Sequence, residues 1–240
     1  MKVKFMTFNI QHGRNYHFKD RDCIDLQLMA DTVNSQNVDF VGFEEVRGKG
    51  QTEFFPNEPY ILSKLIKGSR RFGKAIDVKG GGPYGNLFIS RFPIIKSRKV
   101  MIPDCVRVEG ERGYESRCII ESVIDCNGKP LTVLVSHFGL RQGEQVNAVD
   151  TALSLVRKSR YPVVLMGDFN MTPDNPLIKK ISSEMTDVSV YTGTEGFTYA
   201  SDDPKIKIDY IFVKDAKIIE SHIVKVIASD HFPMTAVIDI

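Results

Sequence analysis

The chain has 240 residues, 42% of them hydrophobic and 26% charged, ordinary values for a soluble globular protein able to bury a substantial core. Its 32 Lys and Arg against 30 Asp and Glu leave a net charge of +2, which excludes bulk electrostatic attraction to nucleic acid or a membrane surface. The four cysteines, Cys23, Cys105, Cys118 and Cys126, lack zinc-type spacing and read as free thiols of a reducing compartment.

Lys2 to Ile10 has strand composition and ends in Asn9-Ile10-Gln11-His12-Gly13. Asp22 is expected to cap a helix running to about Ser35. Val38 to Phe43 reads as a second strand, closed by Glu44-Glu45. A helical stretch interrupted by Pro56 and Pro59 is expected between Gln51 and Ile66. Lys64, Lys67, Arg70, Arg71 and Lys74 form a loose basic patch that reads as a solvated helix end and loop.

Strand patterns then follow at Gly73 to Val78, Asn86 to Ile89, Ile94 to Met101, Ser116 to Ile124 and Leu131 to Ser136. Asn127-Gly128 between apolar runs predicts a hairpin. Gln142 to Arg157 carries Val146, Val149, Leu153 and Val156 at helical spacing. Val163 to Met166 reads as a strand buried on both faces, ending in Gly167-Asp168-Phe169-Asn170. A short helix is expected at Asn175 to Ile181, and Glu184 to Ser201 reads as irregular. Ile206 to Val213, Lys217 to Val226 and Met234 to Ile240 complete the strands. Strands outnumber helices, hairpins are frequent and no linker is visible. The pattern predicts one domain over residues 1–240, a layered α/β sandwich with mixed sheets.

Several strands end in a group that carries chemistry: Asn9, Glu44-Glu45, His137, Asp168 with Asn170, and Asp230-His231 before the last strand. Asp168 and Asn170 point to one side if the extended backbone persists, and otherwise form an Asx turn that caps its own backbone. Asp209, inside Ile208-Asp209-Tyr210-Ile211-Phe212, needs a partner once buried, and a histidine would serve. The hard oxygens suit Mg²⁺ or Mn²⁺ rather than zinc. Carboxylates, a metal and histidines together are what phosphate-ester hydrolysis requires.

These segments resemble the endonuclease/exonuclease/phosphatase superfamily, in the family's own order. Thr7-Phe8-Asn9-Ile10, Val41-Gly42-Phe43-Glu44-Glu45-Val46 and Gly85-Asn86-Leu87-Phe88-Ile89-Ser90-Arg91-Phe92-Pro93-Ile94 come first. Ser136-His137-Phe138, Gly167-Asp168-Phe169-Asn170, Ile208-Asp209-Tyr210-Ile211-Phe212 and Ser229-Asp230-His231-Phe232-Pro233 follow. The ordered set of seven is specific where single motifs are not.

The resemblance implies a deoxyribonuclease I-like, four-layer α/β/β/α sandwich and divalent-metal-dependent cleavage of a phosphate ester. By position it implies metal ligation at Asn9, Glu45 and Asp230. It implies catalytic roles for His137, Asp168, Asn170, Asp209 and His231. Asp168 would orient or deprotonate water and Asn170 would contact phosphate. Asp209 would orient a histidine, and His137 would stabilise phosphoryl charge. His231 would contact phosphate or act as base. Glu44 stands where the family usually has Gln, which leaves Glu44 as the alternative ligand to Glu45.

A phosphoester substrate is therefore expected. Nucleic acid is a weaker expectation, because the charge gives duplex binding no support and there is no Trp. Arg112, Arg117 and Arg141 read either as lining a small anionic pocket or as surface residues, and Tyr16, His17 and Phe18 as pocket rim or loop packing. No apolar run reaches membrane-span length and no signal-peptide core opens the chain, so a cytoplasmic monomer is expected. The alternatives are a DNA or RNA nuclease, and a phosphate-ligand-binding protein that has lost catalysis.

Overall fold

A computed structural model describes residues 1–21, 23–51 and 55–240. In chain order its first half contains β1 (Lys2–Asn9), α1 (Leu26–Ser35), β2 (Phe40–Arg47), α2 (Glu58–Ile66), β3 (Ser69–Val78), β4 (Gly82–Ser90) and β5 (Ile94–Met101). There follow β6 (Cys118–Cys126), β7 (Lys129–Ser136), α3 (Gln142–Lys158), β8 (Val163–Asp168), α4 (Pro176–Ser182), β9 (Thr186–Asp187) and α5 (Val188–Thr192). The chain ends with β10 (Asp209–Lys214), β11 (Lys217–Ile223) and β12 (Met234–Asp239).

The strands form two mixed six-stranded sheets, in the orders β11-β12-β1-β2-β4-β3 and β5-β6-β7-β8-β10-β9. Each contains a parallel pair, β1 with β2 and β7 with β8, linked through α1 and α3. The two-residue period of a strand sorts the side chains into layers. On β8, Val164 and Met166 enter the core between the sheets, while Val163 and Leu165 pack outward against the α3 and α4 side. On β1 and β2, Phe5 and Phe40 point inward and stack at 4.6 Å, while Met6, Phe8, Val41 and Phe43 pack outward with α1 and α2. That is the expected α/β/β/α sandwich, with Gly42 marking how closely the sheets approach: a Cβ there would lie 2.9 Å from Val135 Cγ1.

The inward rows change character at one end of the gap. Phe5 is followed on the same face by Thr7 and Asn9, Val133 and Val135 by His137, and Met166 by Asp168. Asp209 pairs with Asp168 across the antiparallel β10–β8 ladder. The apolar core thus gives way to a polar floor where the parallel strands end.

Several sequence expectations are corrected. The cap proposed at Asp22 lies outside the described residues, and α1 begins after Asp25, whose side chain accepts from Leu28 N. The helix expected from Gln51 starts only at Glu58, because Asn57 caps it and Pro59 fits its first turn; residues 52–54 lie outside the described set. Glu184 to Ser201 holds β9 and α5. The two β-branched valines of Val188-Ser189-Val190 hid a helix capped by Asp187 and closed by Gly193 in the left-handed region. The strand expected from Ile206 begins at Asp209. The Asn127-Gly128 hairpin is present, both residues at positive φ.

Glu58 is buried and accepts the Arg47 N–H at 2.7 Å. Burial, only partly offset by Arg47, pushes its carboxyl up from 4.5 to about 8. Its stabilising contribution is therefore present at low pH and lost as pH rises through about 8. Glu58→Gln keeps the acceptor and should flatten the fall in urea midpoint between about pH 4.5 and pH 8. An unchanged slope would refute this.

Candidate active site

β2 carries a bulge where Glu44 and Glu45 together face Asn86 of β4, between the pairs Phe43–Leu87 and Val46–Gly85. Glu45 sits at φ +59, which turns consecutive side chains to different sides. Glu44 stays in the gap between the sheets, fully buried, accepting from Thr7 Oγ1 at 3.1 Å. Burial, and then the Asp209 and Asp168 charges, push its carboxyl well above the usual range. Glu45 instead lines the cavity, where Tyr84 hydrogen-bonds to it.

Asn9 sits behind this surface. Its Nδ2 donates to Glu45 Oε1 at 3.2 Å and to Asp168 Oδ2 at 3.1 Å, and its Oδ1 accepts from Gln11 N. Through its amide nitrogen Asn9 thus clamps two carboxylates. Gln11, which the sequence did not single out, donates to Asp230 Oδ2 at 3.0 Å.

β8 ends at Asp168, and Asn170 adopts φ +51, so the extended backbone does not persist. Asn170 N donates to Asp168 Oδ1 at 2.9 Å, the Asx turn, and that turn still brings both side chains to one cavity. The intervening Phe169 stacks on Phe138 at 4.2 Å, and each ring is wholly buried. This stack anchors the residues next to Asp168 and His137 on the outer face of their sheet.

His137 is held by Arg117, whose Nη1 lies 3.1 Å from Nδ1. Arginine only donates, so Nδ1 is the acceptor in that contact. Burial, and then Arg117 and His231, keep His137 well below the ordinary range and neutral. Its Nε2 lies 3.5 Å from Asp168 Oδ2 and 3.0 Å from Asn170 Nδ2, and Asn170 Nδ2 donates to Phe138 O. Arg117 pairs with Glu115 at 2.9 Å and lines the cavity. Arg141 heads α3 and donates to Arg112 O, while Arg112 is exposed.

His231 is the opposite case. Asp209, buried as expected, accepts from its Nδ1 at 2.9 Å, and its Nε2 lies 3.6 Å from Asp168 Oδ2. Burial alone would depress this imidazole, but Asp209 and Asp168 outweigh it and hold it up at about 10. Asp168 is raised to about 7 by burial, against the His231 charge and with Asp209 adding to the rise. Tyr199 lies over His231 at 4.8 Å. Two histidines thus flank one carboxylate, one neutral and one cationic.

The cavity has a volume of about 540 Å³, lined by Glu45, Arg117, His137, Asp168, Asn170, Tyr199, Asp230 and His231 among others. Tyr16, His17 and Phe18 are not part of its lining. Of the basic patch, Lys64, Lys67 and Arg70 line a separate cavity of about 660 Å³ beside Ser90, which pairs with Phe40 at the other end of β2.

Asp168, Asp209 and His231 bring one ligand-type atom each within 4.8 Å of one another. His231 Nδ1 and Asp209 Oδ2 are already hydrogen-bonded to each other, an arrangement suited to moving a proton. A divalent cation fits the neighbouring Glu45 and Asp230. Burial raises Asp230 and the Glu45 charge adds to it, a repulsion that a cation would relieve. Among the described residues, the buried Gln11 Oε1 beside them has no hydrogen-bond partner.

Two packed mixed sheets with outer helices and a polar site at one end of the gap define the deoxyribonuclease I-like sandwich. The chain belongs to the endonuclease/exonuclease/phosphatase family, whose model matches residues 6–231. Among solved structures it is similar to an endonuclease/exonuclease/phosphatase from Beutenbergia cavernae, with TM-score 0.84, 22% identity, and 100% and 72% of the two chains covered. A Bacteroides vulgatus member of the family gives TM-score 0.79 and 21% identity over 100% and 99%. The Bacteroides thetaiotaomicron mannosyl-6-phosphatase Bt3783 gives 0.81 and 16% over 99% and 100%. No curated protein matches the sequence.

Proposed function

We propose that this protein is a divalent-metal-dependent phosphoester hydrolase, a phosphodiesterase or phosphatase, with Mg²⁺ as the ion and Mn²⁺ as a substitute. The observation that carries the reading is Asp168 held between a cationic and a neutral histidine at the mouth of a polar cavity. Glu45 and Asp230 would hold the ion, with Asn9 and Gln11 fixing their carboxylates. When bound, the ion neutralises charge on the phosphoryl and leaving oxygens.

The protein's own residues account for the proton and the charge. Asp168, poised near neutral pH, takes a proton from the attacking water. The water oxygen bonds phosphorus as the ester P–O bond breaks, and the leaving oxygen takes its proton from solvent water. His231 keeps its Nδ1 proton on Asp209 and directs Nε2 toward Asp168. The His137 imidazole, the Asn170 amide and the Arg117 guanidinium face the developing phosphoryl charge. The two sheets share one apolar core, which supports reading residues 1–240 as one domain. The four free cysteines support a cytoplasmic location. Among the described residues, no helix is long and apolar enough to cross a membrane.

Turnover of bis-p-nitrophenyl phosphate should require Mg²⁺ and disappear with EDTA. Asn9→Ala should weaken Mg²⁺ binding by about 10- to 100-fold in calorimetry, because Asn9 orients Glu45 without facing the cavity. Turnover that persists in EDTA would remove the metal from the reading.

A further inference from the structure

A second cavity, about 500 Å³, adjoins the catalytic one, and the two share Thr172 and Ile206 in their linings. Its character is different. Val190, 77% exposed, and Phe197, 51% exposed, line it with Pro173 and Ile206. On the catalytic side, Leu140 and Tyr199 continue the same exposed apolar surface. Large apolar side chains left in water around one mouth mark a binding surface.

The buried lysine of this groove is paired, and the exposed one stands beside an acid. Lys207 is buried against Asp187 at 3.1 Å and lies over the Tyr210 ring, and Lys205 pairs with Asp203 at 2.6 Å. Glu195 adds an acid to the lining. A nucleic-acid strand leaving the catalytic centre along this path would set its next phosphates against paired lysines and an acid. The basic cavity of Lys64, Lys67 and Arg70 lies at the other end of β2.

We propose that the groove seats an uncharged apolar group esterified to the phosphate, so that the substrate is an amphiphilic phosphoester rather than a nucleic acid. The inference rests on the phosphoester-hydrolase reading above. Phe197 and Val190 are its specificity-determining residues. They are supplied by α5 and the segment after it, which Val188 in the core and the Thr192 and Thr194 hydrogen bonds to Ser221 hold in place.

The test compares octyl 4-nitrophenyl phosphate with methyl 4-nitrophenyl phosphate, with the octyl ester kept below its micelle concentration. kcat/KM should favour the octyl ester by at least about tenfold, the scale of added methylenes in an apolar pocket. Phe197→Ser and, separately, Val190→Ser should bring that ratio toward one. Ile95→Ser, an exposed apolar position lining neither cavity, should leave it unchanged. Equal rates for the two esters in the wild-type protein overturn the inference. So does a single-stranded oligodeoxynucleotide that competes better than octyl phosphate. If neither ester is turned over, the hydrolase reading fails on its own. Calorimetry with octyl phosphate against ethyl phosphate then decides the groove: tenfold tighter binding of the octyl compound supports it, and equal binding overturns it.

Discussion

Asp168→Ala is expected to lower kcat/KM for bis-p-nitrophenyl phosphate by roughly 10²- to 10⁴-fold, the range for a positioned proton-transfer group. Asp168 is nearly fully buried, yet it meets the cavity and lies within 3.6 Å of both histidine Nε2 atoms. Removing it deletes the proton acceptor and leaves the His231 cation with Asp209 as its nearest acid. It also frees the Asn170 N–H and the Asn9 amide that Asp168 orders. The loss should therefore appear mainly in kcat, because the proposed ion ligands Glu45 and Asp230 are untouched. Circular dichroism should show the fold intact. A variant that retains wild-type kcat would remove Asp168 from the chemistry, and a loss confined to KM would make it a binding residue.

Gly167→Ala should be the most damaging single-methyl change in the protein. A Cβ at Gly167 would lie 1.7 Å from Ser136 O and 2.8 Å from Ser136 C. Both atoms are backbone, on the neighbouring β7, so no side-chain rotation relieves the overlap. The residue also sits at φ +152, which L side chains rarely adopt. The parallel β7–β8 pair must separate at the position immediately before Asp168. A loss of about 4 kcal/mol or more is expected, within the class of large effects produced by backbone strain and overpacking. Urea denaturation measures it. A midpoint equal to wild type would show that this approach is looser than the register requires. Activity should fall with stability, since any separation of β8 from β7 also moves Asp168 away from His137.

Much of the site was readable because strand periodicity makes it so. Val163 to Met166 announced a strand buried on both faces, and the next inward position is Asp168. The same arithmetic carries Phe5 to Asn9 and Val135 to His137. Asp209 within an apolar strand required a partner, and His231 supplies it at 2.9 Å. Local chemistry was readable too, in the Asn127-Gly128 hairpin and in the Asx turn weighed for Asp168 and Asn170. Where local signals conflicted, the reading failed. Val188-Ser189-Val190 favours a strand by residue type, yet Asp187 and Gly193 cap it as α5. Asp22 and Asp25 are both acceptable caps by composition.

By itself the amino-acid sequence determined the layered α/β architecture and the inward rows of each strand. It also determined the acids, amides and histidines that end those rows, because periodicity and turn chemistry act between near neighbours. Only the tertiary structure decided which glutamate meets the cavity, since the bulge at Glu44 and Glu45 exists only through pairing with β4. It alone set the two histidines apart. His137 is kept neutral by burial and then by Arg117, the residue before β6, and His231 is kept cationic by Asp209 from another strand. Protonation states follow from burial and from charges brought together by long-range register, and no local stretch of sequence carries that information.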